Sequence, residues 1–189
     1  MKQIVTLAAL ALTGVLLAVP GASQTMGEKE SFTAVAVRNN NLGSGMGTVF
    51  IDVTRWSTDA ERKKLVETLQ QKGPDALLDA LQDSRSTGTI RTPDSLAYDL
   101  RFAYQRPAED GGREIVLATD RPIGFWEATR RPRSFEYPFT VIQMEIGPDG
   151  TGKGTLSYAT KIVASGDIIA LENFATAPVM LTEIKSGQR

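Results

Sequence analysis

The chain has 189 residues, with 21 Lys and Arg against 22 Asp and Glu and neither His nor Cys. A formal net charge of −1 is not that of a general nucleic-acid binder, which needs clustered excess positive charge. Without His or Cys, Ser-His-Asp and Cys-His catalysis, imidazole or thiolate metal sites and disulfides are all excluded. What remains is carboxylate, Lys, Tyr, Ser/Thr or Arg chemistry, or a metal held by oxygen.

The opening MKQIVTLAALALTGVLLAVPGASQ has the layout of a secretory signal peptide. Lys2 gives a short positive start, and residues 4–19 are apolar except for Thr6, Thr13 and Gly14. Pro20 and Gly21 break any helix, and the small residues Ala22 and Ser23 follow. Residues 1–23 are therefore expected to be removed, leaving a secreted or periplasmic chain. A retained N-terminal anchor is the alternative, but the run is shorter than the roughly 20 residues that span a bilayer. No Cys follows for lipid attachment, and no membrane span is expected after cleavage. Losing Lys2 moves the formal charge from −1 to −2. Residues 24–189 are expected to form a single β-rich domain with a helical insertion at 58–84.

SFTAVAVRN (31–39) reads as a first strand, and NNNLGSGMG (39–47) as a turn cluster, with GSGMG a flexible hairpin tip. In TVFIDVTRW (48–56), Val49, Ile51 and Val53 alternate with Thr48, Asp52 and Thr54, and Phe50 is the exception. The period then becomes helical. Thr58 and Glu61 form a capping box, and Ala60, Leu65, Val66 and Leu69 fall on one stripe. Gly73 ends this helix and Pro74 opens a second, with Leu77, Leu78 and Leu81 on one side. The pair predicts a helical hairpin packed on the sheet or closing one barrel end.

From residue 87 the two-residue period returns. TGTIRT (87–92) is a short strand, and in LAYDLRFAYQR (96–106) Tyr98, Leu100, Phe102 and Tyr104 face one way. EDGG (109–112) is a hairpin turn leading to REIVLATD (113–120). Further strands are expected at 139–146, 155–163, 167–174 and 179–185. About nine strands joined mostly by hairpins predict a mainly β, antiparallel meander barrel of calycin-like type, or a two-sheet sandwich.

Several motifs look chemical. GPDGTGKGT (147–155) nearly matches a phosphate loop, but Gly154 stands where Ser or Thr should hold magnesium, and a strand follows rather than a helix. It reads as a hairpin turn. The acids Asp94, Asp99, Glu114, Asp120, Glu127, Glu136 and Glu145 could supply the carboxylate pair of a glycosidase, about 5–9 Å apart. No motif fixes a pair, and polar strand faces explain most of them by solvation. No catalytic residue, metal ligand or cofactor is assigned.

The stretch ATDRPIGFWEATRRPRSFEYPF (118–139) is too long for a plain hairpin connection and too aromatic to stay in water. It either plugs one end of the barrel or forms a lid over a cavity. In the lid reading Arg121, Phe125, Trp126, Glu127, Arg130, Arg131, Arg133 and Tyr137 would meet an anionic or sugar-like ligand.

TRWSTDAER, GTIRTPDSLAYDLRFA, IVLATDRPIGFWEATRRPRS and the closing LENFA resemble segments of an uncharacterised group of bacterial secreted proteins. The likeness runs from Phe32 to Lys185. It implies export and a bacterial source, and it carries over no site residue. The functional expectation is an exported, non-enzymatic small-molecule or surface-binding module. A carboxylate-based hydrolase and a structural or protein-interaction module are the alternatives.

Overall fold

The computed structural model describes residues 27–40, 43–121, 123, 140–158, 161–165, 168–172 and 178–188. They form β1 (Glu30–Asn40), β2 (Gly43–Val53), α1 (Asp59–Gln82), β3 (Gly88–Arg91), β4 (Tyr98–Pro107), β5 (Arg113–Thr119), β6 (Thr140–Ile146), β7 (Thr151–Tyr158), β8 (Lys161–Ser165), β9 (Ile168–Glu172) and β10 (Val179–Gln188). Each strand from β1 to β7 pairs antiparallel with the next; β10 then joins β7 and closes onto β1. The result is a closed eight-stranded meander barrel rather than a sandwich, with β8 and β9 as a separate hairpin between β7 and β10. Closure leaves the barrel no unpaired edge.

Alternation decides what fills the barrel. Val49, Ile51 and Val53 of β2 point inward and are at most 1 % exposed. Ile115 and Leu117 of β5 and Ile142 of β6 meet them in one continuous core. These side chains have no exposure at all, so the barrel axis is packed with hydrocarbon. Gly152 and Gly154 of β7 make room for this. They pair with Ile146 and Met144, and a Cβ on either would stand 2.2–2.3 Å from a carbonyl oxygen of β6.

Both barrel ends are closed by side chains. At one end, the Trp56 indole N–H donates to the Glu28 carbonyl at 3.0 Å, and Arg113 pairs with Glu30 and donates to Gln105 at 2.9 Å. At the other, Ile123 enters the core with 4 % exposure, and its N–H donates to Thr140 Oγ1 at 3.0 Å. Thr119 Oγ1 accepts from the Thr140 N–H at 3.2 Å and donates to the Arg121 carbonyl. The loop stem is thus stitched to the barrel mouth.

The helical insertion begins where the capping box places it. Glu61 N–H donates to Thr58 Oγ1 at 3.2 Å, and Thr58 N–H donates to Glu61 Oε2 at 2.8 Å. Gly73, at φ 83°, interrupts α1 and Pro74 restarts it, as a hairpin requires. Leu69, Leu77 and Leu81 are buried against Val141, with Leu65, Leu78, Phe102 and Val116 packed around them. The hairpin therefore lies on the outer wall over β4, β5 and β6 and does not close a barrel end.

Five expectations are corrected. Gly43–Gly47 is not a hairpin tip but the start of β2, paired with the end of β1. The run 155–163 is not one strand: β7 ends at Tyr158 and β8 begins at Lys161. Tyr98, Leu100, Phe102 and Tyr104 do not share a face. A bulge between Leu100 and Phe102 turns Leu100 and Ala103 inward and leaves Phe102 and Tyr104 stacked 6.2 Å apart, with Phe102 packed beneath the helix. Ala60 is exposed, outside the buried stripe of α1. Asp120 is not a solvated surface acid; its side chain is 7 % exposed.

Candidate functional site

Of the residues expected to bind a ligand, Arg121 is described, and Phe125, Trp126, Glu127, Arg130, Arg131, Arg133 and Tyr137 lie outside the described residues. Arg121 is exposed, and its Nε lies 3.5 Å from Asp120 Oδ1. Asp120 also takes Arg101 Nε at 3.2 Å, while Arg101 Nη1 donates to the Ser84 carbonyl at 3.1 Å. This cluster ties the C-terminal end of the helical hairpin to β4 and to the stem of the loop. Its polar groups satisfy one another, so it serves as a structural clamp.

The turn end of the barrel carries an open groove of about 970 Å³. Its floor is a cross-strand row, Arg106, Glu114, Glu145 and Lys153, one residue from each of β4 to β7. Two acids directly opposite repel. Here each has its own cation: Arg106 pairs with Glu114, and Lys153 Nζ lies 3.2 Å from Glu145 Oε2. Lys153 therefore has a partner on the strand wall, and 147–150 is a tight turn closed by Gly147 N–H to Thr151 O at 2.8 Å. Glu114 and Glu145 stand on the outer wall, 42 % and 68 % exposed.

A different kind of space lies between α1 and the barrel. It measures about 80 Å³ and is walled by Leu65, Leu69, Leu77, Phe102, Ala118 and Val141, among others. The row Phe102, Ala118, Val141 crosses β4, β5 and β6 at paired positions, so all three point at the helix. Ala118 is the small residue of the row, and it lines the gap. Among the described residues lining this cleft, Arg62 alone is charged. No motif announces such a site; the signal in the sequence is Ala118 between larger outward neighbours in a strand roofed by leucines.

No protein-family model, curated protein or solved structure was found to match the chain. Among the described residues no helix is long and apolar enough to cross a membrane, and no cluster of three acids could hold a metal ion.

Proposed function

We propose that this chain is an exported, non-enzymatic binding module that takes a small apolar-bodied molecule between its helical hairpin and the outer wall of its barrel. The observation that carries the reading is the apolar cleft of about 80 Å³ lined by Ala118, outside a barrel whose own axis is filled. Small-molecule sites are concave and mostly apolar, with few polar groups to orient the ligand. The cleft has the apolar walls of such a site but, at about 80 Å³, is well below the roughly 300–1,000 Å³ of a drug-sized one, so it suits a short alkyl group and not an aryl group or a sugar. The Lys2 start, the apolar run 4–19 and the small residues before Gln24 support export. Titration with hexan-1-ol should raise the melting temperature by linkage. Ala118→Val, which adds two carbons to the lining of the gap, should abolish that rise without unfolding the protein. An unchanged rise in the variant would place the ligand elsewhere.

A second reading, a protein-interaction module, is favoured by one observation. Met46 and Met180, 73 % and 46 % exposed, flank Val37 at directly paired positions of β2, β10 and β1. Met46→Lys should then abolish any concentration-dependent association seen by sedimentation.

A further inference from the structure

We infer that the bare side of the barrel's outer wall receives a second copy of this chain, related to the first by a two-fold axis that runs along β1. This deepens the protein-interaction reading and rests on it. The helical hairpin covers the wall over β4, β5 and β6. On β1, β2 and β10 the inward residues Ala34, Ala36, Val49, Ile51, Val179 and Leu181 are buried, so the residues between them point outward. The register sets those outward residues in rows. Met46, Val37 and Met180 make one row, and Thr48, Val35 and Thr182 make the next. Each row reads the same from either side, Met–Val–Met and then Thr–Val–Thr. Met46 and Met180 are exposed, and the other four are half-buried.

A two-fold axis parallel to β1, lying in the plane of contact, places β1 over β1 and β2 over β10 of the second copy. Val37 then meets Val37, Met46 meets Met180, and Thr48 meets Thr182. Such a contact is isologous, so one surface supplies both halves. Methionine on methionine suits it, because an unbranched thioether adapts to its neighbour. Thr182 Oγ1 donates to the Val35 carbonyl at 3.3 Å and keeps its lone pairs for the Thr48 hydroxyl of the second copy. Neither row carries a charge. The third row, Phe50, Thr33 and Lys185, forms the rim. There Lys185 comes near Arg91 of the second copy, which lies 4.8 Å from the centre of its own Phe50 ring. At a wet rim that repulsion is screened by salt. A convex wall limits the contact to about three strands, roughly 14 Å across. That is small for a stable dimer, so association should be weak, with a Kd of roughly 0.1–1 mM.

The chain has no cysteine, so an introduced one is its only thiol. A nitroxide is attached to Met46→Cys, and that chain is mixed with unaltered chain carrying labelled methionine methyls. Facing sheets stand about 10 Å apart, and β2 and β10 are two strands, about 10 Å, from each other. The nitroxide should therefore relax the Met180 methyl of the second copy several times faster than its Met46 methyl, because the effect falls with the sixth power of distance. A nitroxide on Met180→Cys should do the reverse, which keeps the test open if one variant folds poorly. Sedimentation of the unaltered chain at about 1 mM should show association, and Met46→Lys should abolish it. A chain that stays monomeric at that concentration would overturn the second copy. Association that survives Met46→Lys would overturn the methionine face, and the protein-interaction reading with it. Association lost in Met46→Lys, with a nitroxide on Met46→Cys relaxing the Met46 methyl most, would keep that reading and overturn the two-fold pairing.

Discussion

Thr58 and Glu61 fix where the helical hairpin leaves the barrel. Thr58→Ala removes one side of the box and should cost about 1 kcal/mol, measured by urea unfolding at neutral pH. Burial acts to raise the pKa of Glu61, but hydrogen bonds from Arg55 and from the Thr58 backbone outweigh it and hold the carboxyl below its ordinary value. A depressed acid stabilises the fold in full above its ordinary pKa, and that stabilisation is lost as pH falls through the depressed value. Glu61→Gln should therefore flatten part of the stability loss below about pH 4.5, seen as a smaller difference between unfolding curves at neutral and acid pH. Asp120 is a nearly buried acid facing Arg101. Asp120→Ala should destabilise by about 2–3 kcal/mol, less than the 3–5 kcal/mol of a fully buried pair because Arg101 keeps some water. The capping box is legible because both of its partners lie within four residues. The Asp120 pair is not, because Asp120 meets Arg101 only after β4 and β5 have paired.

At the scale of elements, the leucines of α1 are its hold on the barrel. Leu69→Ala and Leu77→Ala should each cost about 2–5 kcal/mol, toward the lower end because the cleft already leaves part of their surface without partners. Unchanged melting temperatures in both would make the hairpin an appendage. At the neighbouring β6–β7 seam, Gly154→Ala would push a Cβ within 2.3 Å of the Gln143 carbonyl and should cost about 1–3 kcal/mol as β6 and β7 spread. The helical stripe is legible from Leu65, Leu69, Leu77 and Leu81, and the inward face of β2 from Val49, Ile51 and Val53. The change of face in β4 is not, since Leu100 and Phe102 obey a simple alternation in the sequence and only the bulge separates them. Nor do the glycines of β7 declare themselves. Next to Asp149 and Gly150 they read as more of the turn, whereas their function is to give room to Met144 and Ile146.

At the scale of the whole molecule, hairpin succession predicts a meander, and closure of β10 onto β1 makes it a barrel. Whether such a barrel is hollow depends on the summed size of its inward side chains. Phe32, Ile51, Ile90, Leu100, Leu117 and Ile142 are large enough to fill it. That sum requires knowing which residues face inward, and the β4 bulge hides this from the sequence alone. A filled barrel moves the available apolar space outside, to the seam with the helical hairpin. Small apolar molecules are expected to enter that seam and not the barrel. Intermolecular NOEs from hexan-1-ol to assigned methyl groups test this most directly. NOEs are expected to Leu69, Leu77, Leu81 and Val141 and none to Leu117 or Ile142. NOEs to the methyls of the barrel axis, or their absence from the cleft at saturating ligand, would contradict it.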